Sequence, residues 1–575
     1  MSDNFISKKY YFLTFVALLI FVYVMQNINK VEYTMESFID DQSIIDLLAK
    51  NDCFVPNSLK KIDWHDYDLI QREHNRRGLG EHGQAVWLKG KYQSPTMNLY
   101  RSLGLNELVS NKISLSRALP DVRHPACMNC TYIESLPSVS IIIPFHNEHM
   151  ITLIRTVRSV LNRSPPQLIK EILLVDDVSN LKMLEKNIKN YVAKYENKIK
   201  LLKLLKYSGN IRAKLHGAKE ATGDVLVFLD AHCEVNVNWL PPLLEPIALD
   251  YHTVMCPLID KIDDFTFEYK AVVEYRGGFD WSLNFKQMSL LREQERKLPE
   301  PYESPVMAGG IFAISRIYFW ELGGYDPGLH IWGGDQFELS FKVWLCGGRI
   351  LIASCSRVGH VMHQVPLFLQ YGYGDFVRRN ILRVANVWMD DYIEKVLKSE
   401  SPNYYIDSGD ISQQKALRQR LNCKPFSWFM SQVVIVEKIV VVDSFPLAEG
   451  QVRPIGDQSY CVDADFNKLK LSLAKCDLSK TNQQSFVFTY KETIKSKGQN
   501  LCWDLMYPAS DNEIYLKRCH DLGRNQLWRY ESKTLQIIQK DRCLDRDLEN
   551  FDLYVKPCNE FSNTQQWVVD YNILF

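Results

Sequence analysis

The sequence has no excess of charge of either sign, since 68 lysine and arginine residues are matched by 68 aspartate and glutamate residues. A chain without net charge has no general electrostatic attraction to nucleic acid, so a nucleic-acid enzyme is disfavoured. Cysteine is too sparse for a disulfide scaffold, with 14 in 575 residues. The length exceeds what one hydrophobic core supports and predicts two or three domains.

The uncharged N-terminal segment Tyr10–Met25 is the feature that bears on a membrane. Its sixteen residues are slightly short for a bilayer core, which fits a thin early-secretory membrane. Lys8 and Lys9 precede it and predict a cytosolic N-terminus. A cleaved signal peptide is the alternative, but no small-residue cleavage pattern follows the segment. We expect a cytoplasmic tail over residues 1–9 and a type II transmembrane signal-anchor over 10–25.

Residues 26–125 are polar and mixed, and we expect them to form a stem. From about residue 137, short apolar runs alternate with stretches of helical apolar spacing. This alternation predicts βαβ units and a largely parallel sheet. The expected strands are Val139–Ile143, Ile172–Val175, Leu201–Leu205 and Val225–Leu229, and the first expected helix is Ile151–Leu161.

Polar side chains follow three of these strands, at residues 145–148, Asp176-Asp177 and Asp230-Ala231-His232. Such clustering is expected of one ligand cleft at the carboxyl edge of a sheet. Residues i and i+2 of an extended chain share a face, so Asp230 and His232 can meet one divalent ion. That ion would neutralise the charge developing on a diphosphate leaving group. The alternative for an isolated Asp-x-His is a strand that merely ends in aspartate.

Three repeats follow Pro446. A Cys-x-Asp element recurs at intervals of 41 and 41 residues, each time followed by a second cysteine and a Gln-x-aromatic element. A fixed period of this length indicates structural repeats, and three of them suit an all-β β-trefoil. The aspartates of these elements are candidates for binding sugar hydroxyls: Asp463, Asp504 and Asp545. Repeats without any ligand are the alternative.

The cysteines of the repeats form three pairs, none with the CxxC spacing of a zinc site. In an oxidising compartment they would be structural disulfides. The pairs are Cys461–Cys476, Cys502–Cys519 and Cys543–Cys558.

From about residue 80 to the C-terminus, the chain resembles the polypeptide N-acetylgalactosaminyltransferases. The resemblance rests on long strings rather than one short motif. They include FHNE at Phe145–Glu148, LDAHCE from Leu229, MAGG at Met307–Gly310, IWGGDQFELSFKVWLCGG at Ile331–Gly348, VGH at Val358–His360, VWMDDY at Val387–Tyr392 and CKPFSW at Cys423–Trp428.

The resemblance implies an α/β GT-A domain, Rossmann-like and typical of nucleotide-diphospho-sugar transferases, over residues 126–435. It implies a ricin-type β-trefoil lectin domain over 446–575. Family members are type II Golgi membrane enzymes with a lumenal catalytic domain. They use Mn²⁺ to transfer N-acetylgalactosamine (GalNAc) from UDP-GalNAc to Ser or Thr hydroxyls of polypeptides, with retention of configuration, and so initiate mucin-type O-glycosylation.

The resemblance also assigns roles to single residues. It implies that Asp230, His232 and His360 bind Mn²⁺ and that Asp177 contacts uridine. The residues implied to bind or act on the donor sugar and diphosphate are Arg212, Ala308, Gly309, Gly310, Trp332 and Asp335. Two further disulfides are implied, Cys127–Cys355 and Cys346–Cys423. In the lectin domain the second repeat has the fullest polar set, Asp504, His520 and Asn525.

The chain departs from the family pattern at several positions near the expected donor site. Asp335 stands where the family usually has Glu, and Lys214 is the second basic residue of an Arg-x-Arg pair. His363 stands where the family usually has an arginine that contacts the diphosphate, and the loop at 368–373 lacks the usual Pro-Gly-Gly. An active transferase is the favoured hypothesis. The alternative is a catalytically weak or inactive Golgi protein that binds glycopeptides through its lectin domain.

Overall fold

The structure is a computed structural model. It describes residues 42–50, 53–88, 104–180, 182–195, 197–362, 375–398, 406–434, 448–477, 479, 481–489, 492–505, 513–519, 524–531, 534–547 and 550–569. The expected tail over 1–9 and signal-anchor over 10–25 lie outside these residues. Within the described ranges, no helix combines the length and apolar character needed to cross a bilayer.

An α/β domain comes first in the chain and a β-trefoil domain follows it. The helices, numbered in chain order, are α1 Gln42–Lys50, α2 Tyr67–His74, α3 Glu107–Ser110, α4 Met150–Arg163, α5 Lys182–Val192, α6 Asn210–Glu220, α7 Pro241–Leu249, α8 Arg292–Arg296, α9 Arg316–Glu321, α10 Asp335–Leu345, α11 Asp375–Trp388, α12 Ile393–Lys398, α13 Ser412–Arg420, α14 Phe426–Phe429 and, in the trefoil, α15 Thr481–Gln484.

The strands of the α/β domain are β1 Lys61–Ile62, β2 Tyr132–Ile133, β3 Val139–Phe145, β4 Ile169–Asp176, β5 Ile199–Lys203, β6 Val225–Phe228, β7 Cys233–Val235, β8 Thr253–Ile262, β9 Tyr269–Lys270, β10 Arg276–Phe279, β11 Phe285–Met288, β12 Tyr302–Glu303, β13 Phe312–Ser315 and β14 Arg349–Val361.

The central sheet has the strand order β12-β14-β8-β13-β6-β3-β4-β5. Strands β6, β3, β4 and β5 run parallel, as the alternation of strands and helices predicts. Strand β13 is antiparallel to its neighbours β6 and β8, so the sheet is mixed. Both faces of the sheet are covered: in β3, Ile142 packs into one core, whereas Ile141 and Ile143 pack into the other. This two-sided burial explains the continuous apolar runs of these strands.

The described residues before 126 are part of the α/β domain, so the expected stem over 26–125 is wrong for them. Arg117 is fully buried and donates two hydrogen bonds to the Glu234 carboxylate, at 2.8 and 2.9 Å. Glu73 pairs with buried Arg163 at 2.8 Å, and Leu105 is completely inaccessible to solvent. The region joins the domain through these buried ion pairs and through an apolar cluster that includes Val86, Leu105 and Ile113.

The described part of the chain contains five disulfides. Two lie in the α/β domain, Cys127–Cys355 and Cys346–Cys423. Three lie in the trefoil, Cys461–Cys476, Cys502–Cys519 and Cys543–Cys558.

The trefoil strands are β15 Ala448–Gly450, β16 Val452–Pro454, β17 Tyr460–Asp465, β18 Lys470–Lys475, β19 Phe486–Phe488, β20 Ile494–Ser496, β21 Leu501–Leu505, β22 Ile514–Arg518, β23 Arg529–Glu531, β24 Gln536–Gln539, β25 Arg542–Arg546, β26 Leu553–Pro557 and β27 Trp567–Val569. Each sequence repeat contributes one hairpin, β17–β18, β21–β22 or β25–β26. The buried aromatic residues Phe486, Trp528 and Trp567 come from the Gln-x-aromatic elements and fill the shared core.

We expect Arg117→Ala to lower the free energy of unfolding of the α/β domain by about 3–5 kcal/mol, because Glu234 would remain as a buried charge without its partner. Urea-induced unfolding followed by tryptophan fluorescence would measure the change. Arg77→Ala, which removes an exposed guanidinium, is the control. Equal midpoints for the two variants would show that residues near 117 do not contribute to the fold.

Candidate functional site

A cavity of about 370 Å³ opens at the carboxyl edge of the parallel strands β3, β4 and β6. Its lining comes from the segments that follow these strands, from residues within 207–214, 308–310 and 331–336, and from His360 and Met362 at the end of β14. Predicted residues among the lining are Asp177, Asp230, His232, Ala308, Gly309, Gly310, Trp332, Asp335 and His360. Predicted residues that are far apart in the sequence, from Asp177 to His360, thus share one cleft, as the strand-end pattern predicts.

Asp230, His232 and His360 form one group in which the potential ligand atoms all lie within 4.8 Å of one another. Asp230 follows β6, His232 precedes β7, and β14 places His360 opposite Cys233. His360 Nε2 lies 3.2 Å from Asp230 Oδ2, and the two imidazole rings meet edge to face at 4.7 Å. One carboxylate and two imidazoles are suitable ligands for a divalent transition metal such as Mn²⁺ and leave positions for ligand oxygens.

Glu148, which follows β3, fixes the orientation of His232. Its Oε2 lies 3.0 Å from His232 Nδ1, and its carboxylate is buried. Burial favours a neutral His232, but the Glu148 and Asp230 carboxylates raise its pKa overall. With Nδ1 donating to Glu148, the other ring nitrogen is directed for metal binding, the usual outer-shell arrangement for a histidine ligand.

Asp177 lies at the opposite end of the cleft, after β4. Its two carboxylate oxygens accept hydrogen bonds from the backbone N–H groups of Ser208 and Gly209, at 2.8 and 2.7 Å. Burial raises the pKa of Asp177 despite these bonds. Next to it, the His146 and Tyr207 rings lie 4.7 Å apart and form an aromatic wall beside the carboxylate.

Glycines allow the backbone to approach the metal-binding group closely. A Cβ atom on Gly310 would lie 2.2 Å from Asp230 Oδ2, and one on Gly309 would lie 2.7 Å from Gln336 Cβ. Gly209, with a φ of 84°, is in van der Waals contact with the Ile331 backbone, where a Cβ would meet Cα at 2.1 Å. Any larger residue at these positions would push the 308–310 and 331–336 segments away from the cleft.

Asp335 begins α10 at the floor of the cavity, and its partner is Lys214 of α6. Lys214 Nζ lies 3.6 Å from Asp335 Oδ2 and donates a hydrogen bond to the Gly309 carbonyl oxygen at 3.0 Å. Burial raises the pKa of Asp335, while the Lys214 ammonium opposes the shift. The Lys214 ammonium therefore stabilises the ionised form of Asp335 against the effect of burial.

Arg212 differs from the predicted residues that line the cavity. Arg212 is absent from the described residues that line the cavity; its guanidinium donates to the Pro327 carbonyl oxygen at 3.3 Å. His363 and the loop at 368–373 lie outside the described residues, as does His520 of the trefoil.

The three repeat aspartates of the trefoil are buried and accept hydrogen bonds from the glutamines of the Gln-x-aromatic elements. The distances are 2.7 Å for Gln484 to Asp463, 2.8 Å for Gln526 to Asp504 and 3.0 Å for Gln565 to Asp545. In the second repeat Asn525 Nδ2 donates a further bond to Asp504 at 2.7 Å. This second amide makes the middle repeat the most polar of the three.

The roles of Glu148 and Lys214 were not predicted from the sequence. Glu148 belongs to the FHNE string, but its partner His232 is 84 residues away. Lys214 and Asp335 lie on different helices, α6 and α10. The available signal was only that charged residues occur next to strand ends and helix starts, which identifies the neighbourhood but not the pairs.

We expect Glu148→Ala to weaken the affinity for Mn²⁺ by about 10–100-fold, because His232 would lose the acceptor that orients its ring. Glu148→Gln retains an oxygen that accepts from Nδ1 and should lose less. Calorimetric titration with Mn²⁺ would measure both, with exposed Glu300→Ala as control. An unchanged affinity in Glu148→Ala would contradict the orienting role.

Family models match most of the chain in three segments. Residues 140–323 match glycosyl transferase family 2, residues 291–364 match the N-terminal domain of galactosyltransferase, and residues 448–567 match the ricin-type β-trefoil lectin domain. The expected GT-A and trefoil folds are thereby confirmed.

Several relatives align with this chain over most of its length. The human polypeptide N-acetylgalactosaminyltransferase 10 is 43% identical over 540 residues, which cover 91% of this chain and 88% of the relative. N-acetylgalactosaminyltransferase 6 of Drosophila melanogaster is 42% identical over 528 residues, covering 89% and 78%. A crystal structure of GalNAc-T7 with UDP, GalNAc and Mn²⁺ superposes with a TM-score of 0.62 at 32% identity, covering 86% of this chain and 93% of that one.

Because relatives with this identity extend over nearly the full length of both chains, the chain belongs to the polypeptide N-acetylgalactosaminyltransferase family and is a glycosyltransferase.

Proposed function

We propose that the protein transfers GalNAc from UDP-GalNAc to Ser and Thr hydroxyls of polypeptides, with Mn²⁺ as cofactor and with retention of configuration. The observation that carries this proposal is the group Asp230, His232 and His360. It lines a cavity that Asp335 also lines. The family relationship supports a polypeptide acceptor, and the ion found in GalNAc-T7 supports manganese.

Each part of the cleft has a role in this proposal. Asp230, His232 and His360 hold the metal ion, which neutralises charge on the diphosphate when bound. Asp177 binds uridine beside the His146 and Tyr207 rings. The residues proposed to bind the GalNAc and phosphate part are Ala308, Gly309, Gly310, Trp332 and Asp335, with Arg212 and His363 completing the diphosphate environment.

The same proposal includes exclusion of water from around the donor sugar. The small residues of the 308–310 segment bring its backbone against Asp230, so the donor sugar would replace water along a peptide surface. A developing positive charge on the sugar would face the Asp335 carboxylate, an interaction that a low-dielectric site strengthens. The leaving phosphate accepts the proton of the attacking hydroxyl in the retaining reaction that we propose.

The cellular arrangement is part of the same proposal. Residues 1–9 form the cytoplasmic tail and residues 10–25 a single-pass type II anchor in the Golgi membrane. Residues 26–41 connect the anchor to the lumenal GT-A domain, which extends to about residue 435. The lectin domain over 446–575 binds GalNAc-bearing acceptors through Asp463, Asp504, Asp545 and Asn525, the middle repeat most tightly. The five disulfides are consistent with an oxidising lumen.

We expect the purified chain to transfer GalNAc to Ser/Thr-rich peptides with Mn²⁺ present, and Asp230→Asn to reduce transfer at least about 100-fold. The comparison of naked and GalNAc-bearing peptides shows which acceptor is preferred. Asp391→Asn, an exposed carboxylate away from the cavity, is the matched control. A folded protein that binds Mn²⁺ and UDP but transfers nothing would instead support the glycopeptide-binding alternative.

We expect Asp504→Ala to weaken binding of GalNAc-bearing peptides about tenfold or more, because the acceptor oriented by Asn525 and Gln526 would be lost. Asp463→Ala, which removes the acceptor of the Gln484 amide, should have the smaller effect. Surface plasmon resonance on immobilised glycopeptide measures both. Equal losses would assign sugar binding to more than the middle repeat.

A further inference from the structure

Lys214 joins three separate segments at the floor of the cleft. Its ammonium donates to the Gly309 carbonyl oxygen at 3.0 Å, lies 3.6 Å from the Asp335 carboxylate, and faces the Tyr325 ring at 6.0 Å from the centroid. The lysine belongs to α6, Asp335 begins α10, and Gly309 lies in the loop before β13. The side chain is only 1% exposed, and the Asp230 carboxylate is a further charged group near the ammonium.

A buried ammonium is stable only when it is paired and hydrogen-bonded, and the same holds for the carboxylate that it faces. Asp335 is itself almost completely buried, with a side-chain exposure of 7%. The two groups therefore hold each other in place. Gly309 and Gln336 pack closely beside this pair, since a Cβ atom on Gly309 would lie 2.7 Å from Gln336 Cβ.

We propose that Lys214 is a positioning residue of the transfer reaction, which fixes the Asp335 carboxylate and the Gly309 carbonyl as one surface beneath the donor sugar. The inference rests on the proposed function, since it assigns the sugar part of UDP-GalNAc to this surface. Lys214 acts through Asp335 and Gly309, and it acts on the sugar end of the donor.

This role predicts a loss that is confined to the sugar. In the proposed function, the uridine of UDP binds near Asp177, whereas the Lys214 surface lies at residues 309 and 335. We expect Lys214→Met, which keeps the length of the side chain and removes its charge, to weaken UDP-GalNAc binding about tenfold or more. UDP binding should stay within about twofold of the unchanged chain. In transfer assays, kcat should fall while KM for the acceptor peptide stays the same.

A double-mutant cycle tests whether Lys214 acts through Asp335. Asp335→Asn alone should lose the same sugar-dependent affinity, and Lys214→Met added to it should cost less than about twofold more. Lys214→Arg, which keeps a cation at the same place, should recover part of the affinity that Lys214→Met loses. All variants would be compared as full chains by calorimetry with UDP and with UDP-GalNAc in the presence of Mn²⁺.

Lys342 provides the matched control. Like Lys214 it is a fully buried lysine, but it belongs to α10. Its ammonium donates to the Gly324 carbonyl oxygen and pairs with Glu338, and it does not line the cleft. Lys342→Met should lower stability and leave the ratio of UDP to UDP-GalNAc affinities unchanged.

Three results would overturn the inference. They are an equal loss of UDP and UDP-GalNAc affinity in Lys214→Met, the same sugar-specific loss in Lys342→Met, and additive effects of Lys214→Met and Asp335→Asn. In each case the unchanged chain would still transfer GalNAc, so the proposed function would stand. If the unchanged chain bound UDP-GalNAc no more tightly than UDP and transferred nothing, the proposed function and this inference would fall together.

Discussion

The register of β14 in the sheet is the constraint on which the candidate site depends. This strand pairs in parallel with β8 and, near its end, antiparallel with β7, where His360 lies opposite Cys233. The Val361 N–H also donates to the His232 carbonyl oxygen at 3.0 Å. A shift of one residue would turn His360 to the other face of the sheet and separate it from Asp230.

Covalent and ionic contacts hold β14 in this register from both sides. The Cys127–Cys355 disulfide ties its middle to the segment before β2. Buried Arg357 donates two hydrogen bonds to the Asp260 carboxylate on β8, at 2.7 and 3.0 Å. An ion pair inside a protein contributes little net stability but penalises every alignment that separates its charges. The sheet is in this way specified by polar contacts at the strands that carry the site.

The sequence was sufficient where a local pattern determines the structure. Strand β3 extends two residues beyond Val139–Ile143, and the period of 41 residues identifies the three trefoil hairpins. Asp230 and His232 could be paired because they are two residues apart on one strand end. The pairing of His360 with them came from family resemblance, since nothing local relates it to residues 130 positions earlier in the chain.

The wrong prediction of a stem before residue 126 and the missed role of Glu148 have a common physical cause. The folded part before residue 126 has little sustained apolar periodicity in its sequence, and Arg117 and Glu73 enter the domain as members of buried ion pairs. A single charged residue looks solvent-exposed in a sequence, and only the partner shows that it is buried. The same reasoning applies to Glu148, whose partner is a histidine on a different strand end.

The metal-binding part and the proposed sugar-binding part of the cleft are supported in different ways, and this bears on how the chain tolerates its departures from the family pattern. The metal-binding end rests on strands and backbone hydrogen bonds, and its residues match the family. The proposed sugar-binding part is held together by side-chain contacts. In it, Asp335 stands in place of the usual Glu and Lys214 in place of the usual Arg. The shorter Asp335 carboxylate reaches less far into the cleft. To make the same contact with a ligand, it must therefore be held more precisely in place. The Lys214 ammonium holds Asp335 in this way, because it lies 3.6 Å from that carboxylate and donates a hydrogen bond to Gly309 in the loop that we propose borders the sugar.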